Sequence, residues 1–153
     1  MEFDGQKAAR VWQRVQGQQT EQPNSKCCDH LQGLIMDQLT LSSMYLQLSR
    51  QFSGRDGATM MRLARESRAQ AACMRGVLMI AGAQMPGVGP VPVQSGSMDA
   101  MLRRCYGQEL RLLKEYENRK TDGEYGPVFD RMAGRSREHC CALLELAGGA
   151  GRK

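Results

Sequence analysis

From Ser25 onward, apolar residues recur in steps of three and four. Leu31, Leu34, Leu41, Tyr45 and Leu48, with Gln38 in the same register, form one inward seam and predict a helix from 25 to about 52. SGRDG (53–57) predicts a turn. Met60, Leu63, Ser67, Gln70, Met74 and Val77 repeat the stepping in a second helix that stops near Gly82. A third seam, Leu102, Cys105, Glu109, Leu112 and Tyr116, predicts a helix from about 98 to 120. After the turn TDGEYG comes a fourth: Phe129, Met132, Ser136, His139, Leu143 and Leu146. Pro127 suits its first helical position and Gly148-Gly149 its end.

The flanks differ. Residues 1–24 read as a polar arm, and within it KAARVWQRV, built around Val11, Trp12 and Val15, suits either a short docking helix or a loose segment. Residues 25–149 form the bundle, and 150–153 a tail. Between helices two and three lies AQMPGVGPVPVQSGS (83–97), which holds three of the chain's five prolines and cannot be helix. A helix of about 22 residues is roughly 33 Å long. Fifteen extended residues cover about 45–50 Å, so this segment can run the length of the bundle.

The two halves resemble each other. At an offset of 71, Leu31, Gln38, Leu41 and Tyr45 fall on Leu102, Glu109, Leu112 and Tyr116. At an offset of 69, Arg62, Ala64, Ser67 and Arg68 fall on Arg131, Ala133, Ser136 and Arg137. The chain therefore reads as a duplicated helical hairpin about a pseudo-two-fold axis. A long crossover between the copies gives an all-α, up-down-down-up four-helix bundle.

Composition agrees with helices: aromatics are 5% of residues while methionine numbers eleven. The net charge of +5 comes from arginines interleaved with acids, which reads as solvated helical faces and not as a nucleic-acid footprint. No apolar run is long enough to span a membrane. The start MEFDGQKAAR lacks the apolar segment of a leader, and the six cysteines include two adjacent pairs, Cys27-Cys28 and Cys140-Cys141. Reduced thiols and a cytoplasmic setting are expected.

Each seam is interrupted by polar residues at one level: Gln38, then Ser67 and Gln70, then Glu109, then Ser136 and His139. Tyr45 and Tyr116 should direct their hydroxyls into this layer. The frame resembles the ferritin-like superfamily, in particular the rubrerythrin-type domain, over residues 28 to 147. That family's Glu and Tyr seven apart appear as Gln38…Tyr45 and Glu109…Tyr116. Its A-x-x-E-x-x-H frame appears as Ala64…Ser67…Gln70 and Ala133…Ser136…His139. The resemblance implies a di-iron centre serving peroxide reduction, oxygen handling or iron storage. Of the implied ligands only Glu109 and His139 remain, Gln38, Ser67, Gln70 and Ser136 being degenerate positions. Two divalent ions need several carboxylates to offset about four positive charges.

Three functions follow as expectations. The first is a bundle with a largely lost di-iron site and no cofactor, acting as a structural or interaction protein in a homo-oligomer or with a protein partner. The second is a divergent di-iron oxidoreductase. The third is a protein holding one iron or zinc through Glu109, His139 and a third ligand, Cys105 being four residues before Glu109. Glu66 and Glu138, each about 100° from its neighbouring seam position, are expected at the helix flank or in solvent.

Overall fold

The structure, a computed structural model, describes residues 25–83, 91, 95–121 and 123–150. The arm with Val11, Trp12 and Val15, most of the crossover and the last three residues lie outside the described residues, as do the side chains of Cys27 and Cys28. Among the described residues there are four α-helices and no strand. They are α1 (Ser25–Ser49), α2 (Gly54–Ile80), α3 (Met98–Arg119) and α4 (Gly126–Ala150), with a 3-10 turn (Gly123–Tyr125) before α4. The all-α four-helix architecture expected from the seams is present, and no described helix is long and apolar enough to cross a membrane.

The periodicity set the helices, and backbone geometry set their ends. α1 stops at Ser49, three residues early, and α2 begins inside the expected turn, at Gly54. Two glycines permit this. Gly54 has φ +60°, and a Cβ on Gly57 would sit 2.8 Å from the Phe52 carbonyl oxygen, so the turn closes directly onto the first coil of α2. α2 ends in a Schellman motif: Ala83 N–H donates to Leu78 O, Gly82 N–H to Met79 O, and Gly82 has φ +78°. Ser97 caps α3 by accepting from Ala100 N–H at 3.2 Å. At the far end, α4 runs through Gly148 and Gly149 to Ala150, so the glycine pair does not stop it.

α1 packs against α2 and α3 against α4 as close hairpins, while α1–α3 and α2–α4 meet along longer-range seams, the α2–α4 seam being the sparser. Along the α1–α3 seam His30 meets Glu115, Asp37 meets Arg111, and Tyr45 meets Glu109. Along α2–α4, Glu66 meets Arg135 and His139. Every apolar seam residue from Leu31 to Leu146 named above is buried. Tyr116 and Phe129 stack at 6.4 Å between ring centres, with the Arg119 guanidinium 5.8 Å over Phe129. At about 25 cal/mol per Å², these apolar residues supply the main force closing the bundle, on both sides of a polar layer that interrupts it.

Candidate functional site: a buried polar layer

Gln38, Ser67, Gln70, Glu109, Ser136 and His139 are all buried, Gln38, Ser67, Glu109 and Ser136 with no exposed surface at all. Their bonds repeat across the pseudo-two-fold axis. In one half Gln38 Nε2 donates to Gln70 Oε1 at 2.6 Å and to the Tyr116 hydroxyl at 2.8 Å. In the other, Glu109 Oε1 accepts from His139 Nδ1 at 2.8 Å and from the Tyr45 hydroxyl at 2.7 Å. The residues paired by the sequence repeat thus make equivalent bonds. Each tyrosine reaches into the other hairpin, so the layer joins the two copies by hydrogen bonds as well as by packing.

The halves differ in charge. His139 Nε2 lies 2.7 Å from Glu66 Oε2, and Glu66 Oε1 meets Arg135 at 2.9 Å and Arg62 at 3.4 Å. A chain of bonds therefore runs from Tyr45 through Glu109, His139 and Glu66 to surface arginines, crossing all four helices. Glu66 sits part-exposed at the helix flank, within the expectation, but its carboxylate also reaches inward to His139, and Glu138 is exposed as expected. A wheel angle locates a Cα, but the glutamate stem spans the sparse α2–α4 seam. The signal was present in the repeat: the mate of Glu66 at the offset of 69 is Arg135, an oppositely charged residue.

Two carboxylates, one at each ring nitrogen, dictate the state of His139. A neutral imidazole has one N–H, and its second nitrogen would present a lone pair to a carboxylate oxygen. The imidazolium donates to both. Burial pulls the His139 pKa down, but the bonds and charges of Glu109 and Glu66 outweigh it and leave it above the ordinary value. Burial likewise raises Glu66, yet His139, Arg135 and Arg62 bring it below the usual carboxylate value. Tyr45 is raised well above its ordinary value, first by burial and then by the Glu109 charge.

These donors do not fit a di-metal centre. A metal ligand must offer a lone pair, and both nitrogens of His139 are committed to carboxylates. Cys105 is fully buried, and its thiol is pushed up to about 12 by burial and then by Glu109. Cys140 is raised to about 11 by burial and Glu109. Among the described residues no group of three or more His, Cys, Asp or Glu side chains is placed to hold a metal ion. Glu109 Oε2, Gln38 Oε1, Gln70 Nε2 and the two serine hydroxyls are buried without a partner in the protein. They are neutral apart from the one carboxylate oxygen, so they add little charge to offset two divalent ions. Set against protein-family models, curated proteins and solved structures, the chain matches none of them.

Proposed function

We propose that this chain is a ferritin-like bundle, similar to rubrerythrin-type domains, whose di-iron centre has been replaced by a protonated hydrogen-bond network. Its role is then structural or interactive and not catalytic, in the cytoplasm, within a homo-oligomer or against a protein partner. The pairing order supports the up-down-down-up connectivity: partners on α3 move toward its N-terminus as α1 is followed from His30 to Tyr45. An outer groove of about 420 Å³ between α3 and α4, walled by Leu102, Tyr106, Leu143 and Leu144, supports the interactive role.

The single observation that carries the reading is His139 held between two carboxylates at 2.8 and 2.7 Å. The network does in protonated form what a metal does in the family, tying four helices at one level. Metal analysis of protein purified from iron- and zinc-supplemented medium tests it. Substoichiometric metal with a cooperative fold is expected. About two irons per chain would restore the oxidoreductase reading, and about one zinc, lost in His139→Ala, would establish the one-metal reading through Glu109 and His139.

A further inference from the structure

The outer groove between α3 and α4, about 420 Å³, is bordered by more than its apolar walls. Leu144 stands 55% exposed on the α4 rim, and Leu110 is 42% exposed one turn along α3 from Tyr106, which lines the groove. Arg103 on the α3 side and Glu145 on the α4 side are both exposed, and neither has an ion pair among the described residues. Arg103 lines the groove and Glu145 follows Leu144 in the same turn, so unlike charges stand at its two edges. The repeat isolates this face. At the offset of 69, Leu144 and Glu145 fall on Arg75 and Gly76, and at 71 Arg103 falls on Gln32. The first hairpin shares the inward seams but has neither the leucine rim nor the opposed charges at these outer positions.

We propose that the outer face of the second hairpin is a two-fold interface and that its occupant is a second copy of this chain. A two-fold axis running along the groove sets α3 of one copy against α4 of the other. Leu144 of each copy then enters the other's groove beside Tyr106, and each Arg103 meets Glu145 of the other copy. A face that offers both an apolar projection and a hollow, with unlike charges on its opposite edges, is complementary to itself, as an isologous contact requires. Its charged rim sets the register of the pairing, and its apolar centre supplies the attraction. This names the partner for the interactive role proposed above and rests on that role, but not on the ferritin-like frame or on the charge of His139.

Sedimentation equilibrium of the full chain, from micromolar to near-millimolar concentration, measures the association, and a reversible monomer–dimer equilibrium is expected. Leu144→Arg, a change at a half-exposed position, should weaken the dimer about tenfold or more, as loss of a central apolar anchor does. Arg103→Glu and Glu145→Arg should each weaken it about threefold or more. Combined, they should restore it, because the reversed charges meet again across the interface. Two exposed thiols locate the contact: Cys141, one turn before Leu144 on α4, and Cys73 on α2 as the reference. Alkylation of Cys141 by iodoacetamide should slow as concentration rises through the dimerisation range, while Cys73 keeps its rate. A chain that stays monomeric throughout overturns the proposal together with the homo-oligomer. A dimer that Leu144→Arg leaves intact, with Cys141 equally reactive at every concentration, overturns this face and leaves the interactive role standing. Protection of Cys141 that does not depend on concentration would mean that the chain's own residues cover the groove, and it overturns the proposal too, as does a double charge reversal no tighter than the singles.

Discussion

The pseudo-symmetry of the polar layer permits an exchange experiment. Gln38–Gln70 and Glu109–His139 occupy equivalent places and make equivalent bonds, at 2.6 and 2.8 Å. Converting the second pair into a copy of the first requires Glu109→Gln and His139→Gln. His139→Gln alone removes the cation and leaves Glu109, which has no exposed surface, as a buried charge met only by neutral donors, Tyr45 and the new amide. Breaking a buried pair in this way costs about 3–5 kcal/mol. For a chain of this size that lowers Tm by roughly 10 °C, at about 2–4 °C per kcal/mol. The double variant removes both charges and keeps an amide–amide bond of the kind already present at Gln38. Replacing both partners together is close to neutral, so it should lie within about 1–2 kcal/mol of the native chain, the remainder being the lost Glu66 contact. Urea unfolding followed by circular dichroism at constant slope measures each corner of the cycle. A single variant costing under about 1 kcal/mol, or a double variant no more stable than the single, would refute the assignment of charge to this pair.

Other outcomes follow from the same structure. His139 has a folded pKa raised above 6.5, so its contribution to stability is full below that value and is lost as pH rises through the folded pKa. Unfolding free energy should decline on the alkaline side, and His139→Gln should flatten the decline. Glu66, lowered from 4.5, contributes above that value and loses the contribution as pH falls through its folded pKa, which Glu66→Gln should remove from an acid titration. Gln38→Glu, Ser67→Glu, Gln70→His and Ser136→Glu together should create measurable iron affinity; a variant that folds and shows none by iron titration contradicts the alignment of the seams. Gly57→Ala should cost about 1–3 kcal/mol in the same urea assay, because its Cβ would meet the fixed Phe52 carbonyl oxygen at 2.8 Å; a neutral result would mean that the turn can relax.

The helices, their inward faces and the burial of six polar residues were legible because 3-4 stepping reports burial directly. The tyrosine hydroxyls were legible too, since each lies seven residues from a polar seam position on the same face. What was hidden depends on distances between helices. Glu66 looked peripheral by angle and sits part-exposed, yet its carboxylate reaches the buried His139 across the sparse α2–α4 seam. The first turn looked longer than it is, because a glycine with positive φ and a glycine without room for a Cβ let the chain reverse within four residues. Cys105 lies on the inward face that its place in the third seam gave it, fully buried, with its thiol raised by that burial and then by Glu109.

The positive charge of the polar layer resides on one ring, His139. Long-range proton–nitrogen NMR on selectively labelled histidine reports both nitrogens of His139 in the native chain at neutral pH. Two protonated nitrogens, unchanged by added iron or zinc, are the predicted result. A bare nitrogen at either position, or one that takes up metal, would contradict it.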